Sequence, residues 1–447
     1  MVKMHIGIDD TDSPRMGCTT YVAALLVQKL CELGASFIDY PNLVRLNPNV
    51  PWKTRGNGAL CLRIECQEDT ADEIKETGIE TVEENADLGF EGTEPGIVFF
   101  YGEVPEEVEE FAKKTIQGLV NMDEALRLIK RFKAEAVGFK NGRGIIGGLA
   151  AIGERLKGDN TFEFIAYRTL ENRGTSRRVD ANSVIKMDEK TRPLTFNNVD
   201  PETGRILITP RGPDPILYGI RGEDPEIVKC AHCFVRSDEP IERWIIFRTN
   251  HGTDVHLRSV ESIKEVKPYN PVIVQGTVME EPRVIPGGHV IFSIRDESGE
   301  VDCAAYKPTD GLKDVAKMLK PGDVIEAMGG VRQSSSENPV TINLEKIRVV
   351  KLFPQVVSQN PLCPNCGKRM TSMGKEKGFR CGKCGFRASK LKKLVYEVER
   401  PLRPGLYIAT PRSQRHLTKP FSRYGSEKKE AKEINYNIIP YQSFSSL

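Results

Sequence analysis

Three carboxylates stand within four positions near the start of the chain, in Ile6-Gly7-Ile8-Asp9-Asp10-Thr11-Asp12-Ser13, and Gly17-Cys18-Thr19-Thr20 follows shortly after. Unshared like charges at this spacing repel, and hard carboxylate oxygens suit a magnesium ion. Thr19 and Thr20 precede Val22, Leu25, Leu26, Leu30 and Leu33, an apolar series at helical spacing. Either hydroxyl is a natural N-cap, and the free N–H groups of a helix start suit a phosphate. The expected unit is a buried strand, an acidic loop and a helix N-terminus. In it Asp9, Asp10 and Asp12 hold magnesium, and Gly17, Cys18, Thr19 and Thr20 face the phosphates of a nucleotide. The competing reading is an Asx-rich turn before a capped helix.

Residues 138–148 contain five glycines with Lys140 and Arg143. Such a loop lets backbone amides approach an anion, although it lacks the Gly-Lys-Ser or Gly-Lys-Thr of a phosphate loop. Opposite the acidic loop it would form a second phosphate wall; alone it reads equally as a flexible connection. Cys363, Cys366, Cys381 and Cys384 form CxxC, 14 residues, CxxC, which predicts a closed, structural zinc site. Cys230-Ala231-His232-Cys233 has no second pair nearby and reads as buried structural thiols on a helix.

Cations gather toward the C-terminus. Residues 363–425 carry 16 Lys and Arg against three Glu, whereas residues 66–110 carry 16 acidic side chains and one Lys. The basic end suits nucleic acid and the acidic run reads as a solvated face. Lys392, Lys393, Arg412, Arg415, His416 and Lys419 are the candidate RNA contacts there. Trp52 and Arg55, in a proline-rich loop, and Arg173 and Arg177, in an expected exposed basic loop, are candidates elsewhere.

These residues need elements to hold them. Strands are expected at 59–66, 97–101, 149–152, 162–167, 195–196, 205–208 and 244–247, and helices at 105–117, 121–133, 182–190 and 225–236. Mixed elements of these lengths suit a ferredoxin-like α+β unit in the middle of the chain. Strands at 272–278, 289–294 and 301–306, a helix at 312–319, and strands at 324–331 and 341–350 follow OB-fold order. At 447 residues with 39% hydrophobic content, three or four domains are expected. No apolar run approaches a membrane span, and no signal peptide precedes the first strand. Eleven cysteines, four at metal spacing, argue against a disulfide framework. A cytoplasmic protein without membrane contact is expected.

The string Gly7-Ile8-Asp9-Asp10-Thr11-Asp12-Ser13, with Cys18-Thr19-Thr20-Tyr21 behind it, resembles the archaeal tRNA(Ile) 2-agmatinylcytidine synthetases. The blocks Gly142-Arg143-Gly144-Ile145-Ile146-Gly147, Thr195-Phe196-Asn197-Asn198-Val199-Asp200, Gly212-Pro213-Asp214-Pro215, Arg248-Thr249-Asn250 and Arg415-His416-Leu417-Thr418-Lys419-Pro420 extend the resemblance over nearly the whole chain. It implies a multidomain α+β protein. Its parts are an N-terminal α/β kinase-like, cytidine-activating domain (1–137), a ferredoxin-like domain (138–262), an OB-fold barrel (271–352), a zinc ribbon (360–390) and a basic C-terminal tail (391–447). It implies a ligase that replaces the 2-oxo group of the wobble cytidine of an isoleucine tRNA with agmatine, so that AUA codons are read. ATP is cleaved to AMP, its γ-phosphate activates the base oxygen, and a threonine, here Thr19, is autophosphorylated. Agmatine is cationic, so carboxylates must hold it; Asp200, Asp214 and Glu223 are the candidates. ATP, magnesium and zinc are the expected cofactors, tRNA and agmatine the partners, and no obligate protein partner is evident.

Two other classes fit parts of the chain. Asp10-Thr11-Asp12-Ser13 after a strand mimics the nucleophile loop of haloacid dehalogenase-type phosphatases, but no convincing downstream lysine and acidic pair accompany it. A non-enzymatic nucleic-acid-binding protein would use the OB-fold and zinc modules and leave the acidic loop unexplained. ATP consumption only when tRNA and amine are both supplied separates the three.

Overall fold

Met4, Ile6 and Ile8 of the opening strand, Val2–Asp9, are fully buried, so this strand needs cover on all sides. The computed structural model, which describes residues 1–336, 338–429 and 441–443, sets it inside a large mixed sheet. The sheet order is Glu135–Gly138, Gly96–Tyr101, Val2–Asp9, Gly58–Cys66, Asn42–Arg45, Ile241–Thr249, Thr161–Arg168, Ile216–Gly222 and Thr195–Phe196. Ile6 lies opposite Leu62 on one side and Phe99 on the other. Helices Thr19–Glu32 and Ala71–Asn85 pack on one face, and Glu106–Gln117 and Gly144–Gly153 on the other.

The sheet does not stop at the end of the first unit. Asn42–Arg45 pairs in parallel with Ile241–Thr249, Asn42 opposite Arg248 and Leu43 opposite Thr249. The second unit follows β-α-β-β-α-β order, with helices Ala181–Thr191 and Pro225–His232. Cys230 and Cys233, at the end of the second helix, are exposed and not the buried thiols expected. The expected ferredoxin-like arrangement is present, but two of its strands differ from the sequence reading. Leu149–Ile152 lies in the helix Gly144–Gly153, because a short run apolar on every side does not distinguish a buried helix from a buried strand. Residues 205–208 form only a bridge from Ile206 to Val199, and the sheet uses Ile216–Gly222 instead.

Residues 271–351 form the expected barrel. Pro271–Val278 pairs with His289–Arg295 and Val324–Arg332, and Glu300–Ala305 pairs in parallel with Thr341–Lys351, closing five strands into a ring. Val356–Gln359 and Leu394–Glu397 pair as a two-stranded stalk that carries the cysteine ribbon. The chain beyond it is not a separate basic tail, as expected for 391–447, but folds back onto the protein. Gly405–Ile408 adds a strand to the barrel beside Thr341–Lys351, and residues 411–429 form a strap across the first two units. Gly252 N donates to His416 O, and Arg423, fully buried, donates to Glu223 at 2.6 Å and to Asp159 at 2.8 Å. The rest of that expected tail, 430–440 and 444–447, lies outside the described residues. No helix among the described residues is long and apolar enough to cross a membrane.

Candidate active site

The opening strand ends at Asp9, and Asp10 turns the chain in the left-handed region at φ 61°. This turn sends the Asp10 carboxylate back to Arg143, whose Nη2 donates to it at 2.6 Å, and to the backbone N–H of Glu94 at 3.3 Å. Asp12 accepts from Thr54 Oγ1 at 2.9 Å and lies 3.5 Å from Arg55. The loop is braced from behind. Ser13 Oγ donates to Asp87 at 2.6 Å, and Arg15 donates to both oxygens of Asp87 at 2.8 and 2.7 Å. These partners hold the Asp87 carboxyl at about 2. Gly17, at φ 82°, closes the loop where a Cβ would meet Asp12 Cα at 3.0 Å.

The helix starts one residue earlier than its hydroxyls suggest. Cys18 is the extended residue before it, and its thiol lies 3.0 Å from Thr20 Oγ1 without capping a backbone N–H. Thr19 and Thr20 are therefore the first helical residues and not the caps. Thr19 Oγ1 accepts from Thr11 Oγ1 at 3.1 Å, which ties the helix start to the acidic loop.

The glycine-rich stretch does something other than cradle an anion. Gly144 N donates to Glu94 O, Ile145 N to Gly142 O and Ile146 N to Arg143 O, so these amides are engaged. The glycines let the helix Gly144–Gly153 lie flush on the opening strand. A Cβ on Gly147 would fall 1.8 Å from Asp9 Oδ2, and one on Gly7 would fall 2.1 Å from Gly148 O. Arg143 reaches the acidic loop from this helix start, whereas Lys140 donates to Phe90 O and is not in the cavity wall.

A cavity of about 980 Å³ opens between the first unit and the sheet face of the second. Asp9, Asp10, Asp12, Cys18, Thr19, Thr20 and Arg143 line one side. Asp214, Glu163, Ile165 and Arg221 line the other, and Trp52, Arg55, Arg412, Arg415 and His416 also contribute. Arg55 spans the two sides, 3.5 Å from Asp12 and 3.8 Å from Asp214, and donates to Ser13 O at 2.9 Å and Gly17 O at 3.2 Å. Burial, reinforced by the charge of Asp10, raises Asp9 to about 8. Burial raises Asp10 to about 6 against the opposing pull of Arg143. Burial also raises Asp214, opposed by Arg177 and Arg55. Carboxyls crowded and enclosed this way are suited to share a divalent cation.

Other expected contacts lie elsewhere. Asp200 is bonded to Arg412 at 2.9 Å and to the backbone N–H groups of Glu202 and Thr203. Glu223 is bonded to Arg423. Neither carboxylate lines the cavity, so of the three agmatine candidates only Asp214 is in it. The loop is exposed at Gly174, Thr175, Ser176 and Arg178, as expected, but Arg177 turns inward and donates to Ile216 O, Pro210 O, Gly212 O and Asp214. Arg173 pairs with Glu242 at 3.0 Å and stacks over Tyr21. Lys419 is buried and bonded to Glu427 at 3.0 Å. Lys392 and Lys393 are exposed beside the stalk.

Sequence reasoning missed Arg45, Glu163, Arg221 and His251, which form the cavity floor. Arg221 Nε donates to Glu163 at 3.1 Å. Burial alone would raise Glu163, but Arg221, His251 and Arg45 hold it well below the usual range. The available signal was a lone carboxylate inside Phe162-Glu163-Phe164-Ile165-Ala166-Tyr167, since such residues are seldom buried unpaired.

In the ribbon, the sulfurs of Cys363, Cys366, Cys381 and Cys384 all lie within 4.8 Å of one another. Gly367 N donates to Cys363 O and Gly385 N to Cys381 O, so each CxxC turns back on itself. None of the four is in a disulfide, and the set fits tetrahedral zinc.

Family models match in the same order as the folded units. Residues 5–141 match the TiaS TCKD domain, 142–256 the TiaS FLD domain, 272–350 the OB-fold nucleic acid binding domain and 360–402 the TiaS C-terminal zinc ribbon domain. The isoleucine-tRNA 2-agmatinylcytidine synthetase TiaS of Methanocaldococcus jannaschii is 45% identical over 426 residues, covering 94% of this chain and 98% of its own. That of Pyrococcus horikoshii is 44% identical, covering 95% and 98%. A solved complex of TiaS with its isoleucine tRNA and ATP superimposes with a TM-score of 0.86 at 42% identity. A solved complex of TiaS with the same tRNA, AMPCPP and agmatine superimposes with 0.83 at 39%; each match covers 95% of this chain and 98% of the other. These matches run through the acidic loop, the OB-fold and the ribbon together, which neither the phosphatase nor the non-enzymatic reading accounts for. The chain belongs to the family of isoleucine-tRNA 2-agmatinylcytidine synthetases.

Proposed function

We infer that this chain is an ATP-dependent tRNA-modifying ligase that conjugates agmatine to position 2 of the wobble cytidine of an isoleucine tRNA. The observation that carries this reading is near full-length identity of 45% to a synthetase of that activity, joined to a cavity walled by an acidic loop and a helix start.

The residue roles are our proposal. Asp9, Asp10 and Asp12 would hold the magnesium of ATP; their crowded carboxyls and hard oxygens support this. Magnesium bound there would neutralise charge that builds on the phosphates during transfer. Thr19, at the helix start and bonded to Thr11, faces the γ-phosphate and is the residue phosphorylated. Arg143, Cys18, Thr20 and Gly17 complete the phosphate side. Once the 2-oxo oxygen of cytidine carries the γ-phosphoryl group, it becomes a good leaving group. The agmatine amine forms the new C–N bond, the C–O bond breaks, phosphate departs and the amine loses a proton. Asp214 takes a cationic end of agmatine: it lines the cavity, with Arg177 at 3.2 Å from its Oδ1 and Arg55 at 3.8 Å from its Oδ2, whereas Asp200 and Glu223 are committed to the strap. We assign cytidine activation to residues 1–153, including the glycine-rich helix. Residues 161–249 form the ferredoxin-like unit, 271–351 the OB-fold and 360–390 the ribbon. The OB-fold and ribbon hold the tRNA, with Lys392 and Lys393 on the exposed side.

Labelled γ-phosphate and labelled agmatine test the roles separately. An Asp10→Ala, Asp12→Ala double variant should lose both agmatine transfer and protein phosphorylation while still binding tRNA. Thr19→Ala should lose the phosphoprotein and slow transfer. Normal transfer by the double variant would reduce the acidic loop to a structural turn.

A further inference from the structure

A second recess of about 300 Å³ opens beside the catalytic cavity and shares most of its wall with it. Four cations line it, Arg45, Lys53, Arg55 and Arg415, and no carboxylate does. Several buried or strapped cations of this molecule are neutralised directly. Arg423 meets Glu223 at 2.6 Å, Arg168 meets Glu239 at 2.7 Å, and Arg400 meets Asp323 at 2.6 Å. The four in the recess have no such partner. Arg45 approaches Glu163 no closer than 3.6 Å, and its buried Nε has no hydrogen-bond partner. Arg55 stands 3.5 Å from Asp12 and 3.8 Å from Asp214, and Arg415 stands 3.7 Å from Glu345. Lys53 is bonded only to the carbonyl of Arg55 at 3.2 Å. Arg415 donates instead to Pro48 O at 3.0 Å and Asn49 Oδ1 at 2.8 Å, which fixes its direction without cancelling its charge. Like charges gathered in a concavity disfavour one another unless an anion joins them.

We propose that this recess binds a backbone phosphate next to the wobble cytidine, and so sets how deeply the flipped nucleotide enters the catalytic cavity. The proposal rests on the functional reading above. An enzyme acting on a base must take it out of the stack, and phosphate contacts fix the register of the nucleic acid while base contacts read it. The base has to reach the acidic loop, so its ribose and phosphates stay at the cavity mouth. All four cations border both spaces, which couples the anchored phosphate to the reacting base. Trp52, half exposed on the cavity wall, stands on the same loop as Lys53 and Arg55.

The test uses the full-length zinc-loaded protein and a transcript of the isoleucine tRNA carrying a neutral methylphosphonate at the phosphate 5′ or 3′ of the wobble cytidine. A Lys53→Gln, Arg415→Gln variant should bind the natural transcript more weakly. Its log affinity should fall less steeply with log salt, by about 1 for the lost phosphate contact. Its ATP affinity should be unchanged. One of the two neutral linkages should weaken the wild type equally and add nothing further to the variant. Penalties that simply add for both linkages, or an unchanged salt slope, would overturn the phosphodiester assignment. Loss of ATP affinity in place of tRNA affinity would assign the recess to the triphosphate and likewise overturn it. Wild-type protein that fails to transfer agmatine to the natural transcript would refute the functional reading itself, a result distinct from all of these.

Discussion

Asp9 shows how little room the proposed catalytic residues have. Its carboxylate lies against Gly147, and any side chain there would occupy the same space. Gly147→Ala should therefore displace Asp9 or push the glycine-rich helix off the strand, at about 1–3 kcal/mol for overpacking. Agmatine transfer should fall sharply while zinc content and tRNA binding hold. Unimpaired transfer by this variant would show that the Asp9 position is not critical. Arg423 is the opposite case, a cation whose role is structural. It is fully buried between Asp159 and Glu223, so Arg423→Ala leaves two carboxylates without their partner. The expected cost is about 3–5 kcal/mol, read as a lowered melting temperature of the catalytic half with the ribbon zinc retained. A melting temperature within a degree of wild type would mean that the strap contributes little.

Among the elements, the ribbon stands most nearly alone. Its small core consists of Cys363, Met370, Phe379 and Cys381, too few apolar residues to fold without the metal. Cys363→Ser or Cys381→Ser should lose one equivalent of zinc and unfold the ribbon, because structural zinc binding is itself folding free energy. Metal analysis and proteolysis of residues 360–390 report the two outcomes; unchanged zinc in both variants contradicts the site. The glycine-rich helix is the contrasting element. Its own sequence is too apolar to declare helix or strand, and it is fixed by the opening strand and the strand Gly96–Tyr101 on which it lies.

Considered whole, the molecule is stitched by its C-terminal strap, and this changes what a truncation would report. Removing everything after residue 360 deletes a barrel strand and the cavity residues Arg412, Arg415 and His416 along with the ribbon. A cleaner cut exists at the stalk, where Val398 N donates to Gln355 O. Replacing residues 356–397 with a short linker should preserve ATP and agmatine binding and weaken tRNA binding with a shallower salt dependence. Retention of the full salt slope would mean that the ribbon and stalk make no phosphate contacts.

The acidic loop, the four cysteines and the strand and helix order of the OB-fold were legible in the sequence because each is local. Carboxylates within four residues, thiols at CxxC spacing and a regular alternation of apolar positions declare themselves whatever surrounds them. The resemblance to a known family extended that reading to ATP, agmatine and tRNA. The fate of the charges away from those motifs was not legible. Arg173, Arg177 and Arg412 look like RNA contacts in the sequence, yet folding gives them carbonyl or carboxylate partners from distant segments. Asp200 and Glu223 are lost to the substrate for the same reason, while Glu163 is brought into the cavity by a strand of the second unit and Asp214 by the loop before another. Composition counts a charge but does not say whether an opposite charge in a distant segment will reach it. Only the tertiary structure pairs them, and so decides which cations and carboxylates remain available to ligands.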